Sequence, residues 1–289
     1  MDKPSIAIIG NGKLGSTLAL ALSQKGYRIS GLSDSDPARL EETARAVKSA
    51  ASDGDPSAAT QGAEVVILAV PDDNIKAVSD RLASRQALAK GQILCHCSGF
   101  LSSSALVANK MLGASIASMH PLASFPRCLI PWDRFKGIYF GVEGDAVALA
   151  RLRPLIESLD CFPVDILASR KNLYHLSSVM ASNYLLALLY AAGQMMGAAV
   201  AEKEKTEAML HALAGTVMDN LVENGLENSL SGPIERGDVQ TVSGHLETLK
   251  KDFPQETELY KALGKLMLRI SKQRNPQGRE WDELGKSLD

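Results

Sequence analysis

The sequence predicts an α/β fold, an N-terminal parallel-sheet domain over residues 1–167 followed by an all-helical domain over 168–289, and three observations carry that prediction. Short apolar runs alternate with helical periodicities through the first part. A glycine-rich turn joins the first run to the first helix. After Ala168 no β-branched strand pattern returns. Taken in order, Ile6-Ala7-Ile8-Ile9 is a strand, residues 14–25 repeat apolar side chains at helical spacing until Gly26, and 28–32 closes a first βαβ unit. A helix over 37–49 follows, then a small-residue segment over 49–61 that reads as a surface connection. Strands over 64–70, 92–97 and 115–119 alternate with helices over 74–87 and 103–111, which argues for a parallel sheet covered on both faces. Two further strands, 138–142 and 161–166, flank a helix over 146–159. Helical spacing then continues through 174–200, 204–224, 238–251 and 256–273, with a turn at Gly232-Pro233 and a short last helix after Asn275-Pro276.

Composition narrows the function classes. In 289 residues, 45% are hydrophobic and 22% charged, with a net charge of −2, so there is no basic field for nucleic acid. Cys95, Cys97, Cys128 and Cys161 lie in or beside apolar segments, and no signal peptide precedes the first strand, which together predict a cytoplasmic address. No metal site is expected, because Cys95-His96-Cys97 lacks ligand spacing and adjacent strand residues point to opposite faces. The apolar stretch 174–200 is interrupted by His175, Ser178, Ser182, Asn183 and Gln194, so it falls short of a clean span of about 20 apolar residues and reads as a buried helix, with no membrane partner.

The loop Gly10-Asn11-Gly12-Lys13-Leu14-Gly15 follows a strand and opens a helix, the context in which GxGxxG marks a Rossmann dinucleotide site. The first glycine permits the tight turn, the second lets backbone approach a pyrophosphate, and the third allows the helix to pack close. Helix N–H groups then face the phosphates. Ser33, Asp34 and Ser35 end the second strand, where the ribose is read. The acid favours NAD, whereas the serines with Arg28 or Arg39 would suit the 2′-phosphate of NADP, so NADP or NAD is expected without a preference; Asp34 could equally only cap the helix at Pro37.

Ligands of open parallel sheets bind beyond the carboxyl ends of the strands. That rule selects Val70-Pro71-Asp72-Asp73, Ser98-Gly99 and His120-Pro121. Reduction of a carbonyl or imine needs a proton donor, which makes His120 a catalytic candidate, while His96, inside its strand, reads as structural. His175, Ser178, Ser182 and Asn183 form one polar arc on an apolar helix, facing either substrate or neighbouring backbone. Lys171 just before it reads as a solvated helix-start lysine in preference to an acid. Residues 231–238 combine turn chemistry with an ion-pair candidate and read as a helix connection.

The glycine loop, Leu68-Ala69-Val70-Pro71-Asp72, His96-Cys97-Ser98-Gly99, His120-Pro121-Leu122, Ser182-Asn183 and Gly232-Pro233-Ile234-Glu235-Arg236-Gly237-Asp238 together resemble a family of Rossmann-like oxidoreductases of unassigned substrate, over nearly the whole chain. More distantly the chain is similar to the 6-phosphogluconate, 3-hydroxyisobutyrate, ketopantoate and pyrroline-5-carboxylate reductase group. That resemblance implies a helical domain that closes the site and forms a homodimer. Hydroxyacid dehydrogenases of that group carry a catalytic lysine four residues before an asparagine on the first long helix; here Val179 precedes Asn183 at that distance. The expected function is thus NAD(P)-dependent hydride transfer to or from a small carbonyl, hydroxy-acid or imine substrate, with Ser98, His120, His175 and Asn183 orienting it. The missing lysine motivates an alternative, a dinucleotide-binding regulatory protein without turnover. A third class, an α/β protein binding another nucleotide such as S-adenosylmethionine, predicts no nicotinamide affinity.

Overall fold

The computed structural model describes residues 3–48, 54–278 and 280–289. Its chain divides into two compact units, Met1–Ser182 and Asn183–Asp289. The first unit holds β1 (Ile6–Ile9), α1 (Lys13–Gln24), β2 (Ile29–Ser33), α2 (Pro37–Val47), α3 (Pro56–Ala59), β3 (Val65–Leu68), α4 (Asp72–Ser84), β4 (Ile93–His96), α5 (Val107–Met111), β5 (Ser115–Pro121), β6 (Tyr139–Gly144), α6 (Ala146–Ser158), β7 (Phe162–Asp165) and α7 (Lys171–Val179). The strands form one seven-stranded sheet in the order β2-β1-β3-β4-β5-β6-β7.

The apolar runs of β1 and β3, and of β4 up to Cys95, are explained by burial on both faces. Ile6, Ile8, Val65, Ile67, Ile93 and Cys95 join the core beneath α1, α2 and α6, with Leu18, Leu22, Leu40, Leu152 and Ile156. The intervening Ala7, Ile9, Val66, Leu68 and Leu94 enter a second core with Ile75 and Leu82 of α4. Period two along each strand therefore fills both layers.

Three features of this unit depart from the sequence reading. The strand β6 runs antiparallel to β5, while β7 is parallel to β6. Between β5 and β6 the chain makes a 3₁₀ turn at Trp132–Phe135 in place of a crossover helix, and without a crossover a strand can only return antiparallel. This connection is anchored on α1, where Leu129 and Ile130 donate backbone N–H groups to Ser16 Oγ and Thr17 Oγ1, both at 3.2 Å. Within the expected surface connection, residues 49–53 lie outside the described residues and α3 packs inward: a Cβ on Gly31 would lie 2.0 Å from the Ala59 carbonyl oxygen. The division between units falls after Ser182, later than the change of pattern near residue 167, because Lys171 and Tyr174 of α7 bond to Ser98 and His120 of the first unit.

The long apolar segment is also not one buried helix. α7 gives way to a π turn at Met180–Tyr184 before α8 (Leu185–Ala199) begins. α8 and α9 (Thr206–Asn228) contain no buried residue, and Leu186 and Tyr190 are about 70% exposed, so among the described residues nothing buries this apolar surface. The span Ala168–Ala199 is long and apolar enough to cross a membrane by length and composition, which corrects the expectation that its polar interruptions exclude that. The second unit draws its core from α10 (Val239–Asp252), α11 (Thr257–Arg274) and α12 (Trp281–Leu288), where Val242, Leu246, Leu268, Trp281, Leu284 and Leu288 meet around Ile234. Residues 231–238 form the turn before α10: Gly232 has φ +100°, Asp238 caps α10 by accepting from Thr241 N–H at 3.0 Å, and Glu235 lies 3.8 Å from Arg274.

Candidate functional site

The carboxyl ends of β1 to β5 gather the site residues of the first unit. In the glycine loop, Gly10 has φ +92° and its N–H donates to the Ser33 carbonyl at 2.7 Å. Asn11 is fully buried, its amide nitrogen donating to the same carbonyl at 3.0 Å and its backbone N–H to Asp34 Oδ2. Gly12 is the N-cap of α1 in extended conformation (φ −69°, ψ −161°), and a Cβ there would meet nothing within 4 Å. No side chain caps α1 and its first turn has no acidic residue, so the N–H groups beginning at Lys13 and Leu14 are left for an anion. The loop opens on a cavity of about 690 Å³ whose walls include Ser33, Asp34, Ser35 and Arg39 at one end and Val70, Pro71, Cys97 and Ser98 at the other. An uncapped helix start beneath a cradle that a Cβ would fill fits a dinucleotide pyrophosphate.

At the end of β2 the structure resolves one alternative. Asp36, not Asp34, caps α2, accepting from Ala38 N–H at 3.0 Å and Arg39 N–H at 3.3 Å. Asp34 accepts from Asn11 N–H and from Asp36 N–H at 2.8 Å and lies 3.4 Å from the Arg39 guanidinium, with only 6% of its side chain exposed. Its carboxylate braces the glycine loop.

Ser98 is a fully engaged strut. Its hydroxyl donates to Asp72 Oδ2 at 2.7 Å and accepts the N–H groups of Phe100 and Leu101 at 3.1 and 2.9 Å. Its N–H donates to His96 Nδ1 at 3.2 Å, and its carbonyl accepts from the Lys171 ammonium at 2.8 Å. The next residue, Gly99, lies where two imidazoles converge: a Cβ there would be 2.8 Å from His175 Cδ2 and 2.9 Å from His120 Nε2. The rings of His120 and His175 are 6.3 Å apart, and Phe100 stands edge-on to His175 at 6.2 Å.

Lys171 corrects the sequence reading outright. It is not solvated but 2% exposed, bonded to the Ser98 carbonyl and to Ser118 Oγ, with Glu143 Oε1 at 3.7 Å. Glu143 is itself buried and accepts from Ser103 N–H and Oγ, both at 2.7 Å. Burial lowers the Lys171 pKa to about 8 against the pull of Glu143. Burial first, then the Lys171 charge and His175, lower His120 to about 4. Burial and the same ammonium lower His96 to about 4, and its Nε2 meets the Ser102 carbonyl at 3.1 Å. His120 is therefore neutral at pH 7, and an imidazolium acid is not what the fold provides.

The remaining arc residues divide. Ser178 and Ser182 donate their hydroxyls to the carbonyls four residues back, Tyr174 and Ser178, at 2.9 and 2.7 Å, so neighbouring backbone meets them. Asn183 is in the π turn and opens the second unit. Of the groups that meet here, Lys171 was expected in solvent, and Tyr174 and Glu143 were not expected at all. The signal for the first two is the helical spacing Lys171, Tyr174, His175, Ser178, one face of α7. Among the described residues no group of three or more His, Cys, Asp or Glu is placed to hold a metal.

Comparison with known proteins supplies the context for this geometry. Residues 5–98 match the family described as NADP oxidoreductase, coenzyme F420-dependent, and residues 138–267 match a domain family described as of unknown function. No curated protein matches. Among solved structures, protein TM1727 from Thermotoga maritima is 29% identical with a TM-score of 0.71, covering 93% of this chain and 99% of its own. A pyrroline-5-carboxylate reductase from Coxiella burnetii is 14% identical with a TM-score of 0.61, covering 99% of each chain. An imine reductase from a Pseudomonas species is 17% identical with a TM-score of 0.63, covering 100% of each. The chain thus joins a segment matching the NADP oxidoreductase family to one matching a domain family of unknown function, on a fold shared with pyrroline-5-carboxylate and imine reductases.

Proposed function

We propose that this chain is an NADP-linked oxidoreductase acting on a small carbonyl, hydroxy-acid or imine compound. The observation that carries the reading is Gly12, which neither backbone conformation nor packing requires to be glycine and which sits where a pyrophosphate would approach α1. Gly10, Asn11, Lys13, Leu14 and Gly15 would hold the pyrophosphate, Val70 and Pro71 the wall beside it, and Ser33, Ser35 and Arg39 the adenosine ribose. NADP is favoured over NAD because the Asp34 carboxylate, though it lines the cavity, is already engaged by Asn11, Asp36 and Arg39, while Ser35 and the half-exposed guanidinium of Arg39, paired among the described residues only with Asp34 and Asp36, offer a 2′-phosphate a hydroxyl and a cation. When bound, the nicotinamide supplies hydride chemistry. Ser98 and Gly99 would shape the turn at the Val70-Pro71 end of the cavity, and His120, His175 and Asn183 are proposed to orient the substrate.

NADPH is expected to bind saturably and at least tenfold more tightly than NADH, with Arg39→Ala removing most of that difference, in a fluorescence titration of both cofactors. Absence of binding to either would sink the whole reading, whereas tighter NADH binding would overturn only the choice of dinucleotide. Val179, in place of the lysine of hydroxyacid dehydrogenases, supports the alternative of a dinucleotide-responsive regulator. A substrate screen following reduced-nicotinamide absorbance separates the two: turnover abolished by His120→Ala or Asn183→Ala excludes the regulator.

The uncovered apolar surface of α8 and α9 is proposed to pair with a second copy of this chain, not with lipid, because the start of the same helical segment is docked through Lys171 inside a water-facing α/β unit. Light scattering is expected to give twice the 30.9 kDa chain mass, and Leu186→Glu with Tyr190→Glu to halve it; a monomeric wild type would refute the pairing. The four unpaired cysteines fit the proposed cytoplasmic address.

A further inference from the structure

We propose that Tyr174 is a positioning residue for His120, holding that imidazole in the tautomer that carries its proton on Nε2 and presents it toward Gly99. The tyrosine hydroxyl lies 3.0 Å from His120 Nδ1, with the two rings edge-on at 5.5 Å and 89°. Its oxygen sits over Gly141, the partner of His120 in the antiparallel β5–β6 pair. Among the described residues the only hydrogen-bond acceptor at the Tyr174 hydroxyl is Nδ1, so the phenol gives its proton there and a neutral His120 carries hydrogen on Nε2. Gly141 must be glycine for this arrangement, since a Cβ there would lie 2.7 Å from the Tyr174 oxygen and 2.0 Å from Ile166. On the other side Nε2 faces Gly99, the position that admits no Cβ against the paired histidines.

The electrostatics agree. The titratable groups facing His120 are Lys171, Tyr174 and His175, all from α7, while the turn after β4 presents Gly99 and Phe100 and β6 presents Gly141. Two of those groups are cationic or basic and the third is a phenol that burial lifts to about 12, so none favours an imidazolium. A neutral N–H aimed at a carbonyl oxygen or imine nitrogen polarises it without giving up the proton. That use rests on the proposed oxidoreductase reading; the tautomer does not.

The test is long-range ¹H–¹⁵N correlation of the histidine side chains in the full chain without dinucleotide, with the His120 signals assigned by loss in His120→Gln. The wild type is expected to show the Nε2–H pattern, unchanged between pH 8 and 5.5. In Tyr174→Phe the pattern should become a tautomer mixture, and the titration midpoint should rise by about one pH unit, because a bond to the neutral form is lost. An Nδ1–H pattern in the wild type, or an unaltered Nε2–H pattern in Tyr174→Phe, would overturn the proposal. Since these spectra need no cofactor, a failed NADPH titration would leave the tautomer assignment standing, and the reverse holds equally.

Discussion

Gly15→Ala is expected to destabilise the first unit by about 3 kcal/mol and to lower its melting temperature by roughly 6–12 °C, with dinucleotide binding lost alongside. The new Cβ would lie 1.8 Å from the Gly10 carbonyl oxygen and 3.1 Å from Ala69 Cβ, so α1 would have to move away from the loop it starts from. That helix carries Leu18 and Leu22, both fully buried, so its displacement opens the core beneath the sheet. The informative control is Gly12→Ala. Its Cβ meets nothing, and its extended backbone suits alanine, so the melting temperature should stay within about 1 °C while NADPH affinity falls at least tenfold, about 1.4 kcal/mol. Thermal melts and cofactor titrations on both variants separate a packing glycine from a binding one. Wild-type affinity in Gly12→Ala would mean that no pyrophosphate sits at this helix.

Acidification from pH 7 to 4.5 should cost the fold several kcal/mol, before the carboxylates contribute. His96 and His120 both have folded pKa values near 4 against 6.5 when unfolded. The unfolded chain therefore takes up two protons that the fold refuses between about 6.5 and 4, so stability is full above 6.5 and falls as the pH drops toward 4. Each depression corresponds to on the order of 3 kcal/mol at its limit. Asp145 and Asp55, whose carboxyls are held below the ordinary 3.8, lose their contribution only at still lower pH. Urea midpoints at pH 7 and 4.5 measure the effect, and His120→Gln should flatten about half of it. A midpoint independent of pH over that range would show that these imidazoles are not buried as described.

The glycine loop, the succession of strands and helices in the first βαβ units and the general place of Ser98 and His120 were legible because each is a local pattern. A strand end, a GxGxxG spacing and a helix start are written within a few consecutive residues, and the rule that ligands bind at strand carboxyl ends extends them to a site. Asp34 was legible as a position but not as a role. Which of Asp34 and Asp36 caps α2 depends on where Asn11 presents its N–H, a contact between segments far apart in the chain.

Lys171 illustrates the opposite case. In sequence it is one lysine at a helix start, where solvation is the ordinary outcome; in the fold its ammonium lies beneath the Ser98 carbonyl and faces Glu143 from β6. No spacing connects residues 98, 118, 143 and 171, because the sheet order and the antiparallel return of β6 bring them together. The apolar pattern of 174–200 likewise fixed a helix without fixing what covers it, since periodicity records an apolar face but not its partner. By itself, then, the sequence determined the α/β architecture and the glycine turn that opens α1, features set by local backbone geometry and by which side chains leave water. The tertiary structure alone decided the charge and tautomer environment of His120, because burial and the approach of Lys171, Tyr174 and Gly99 are long-range consequences of packing.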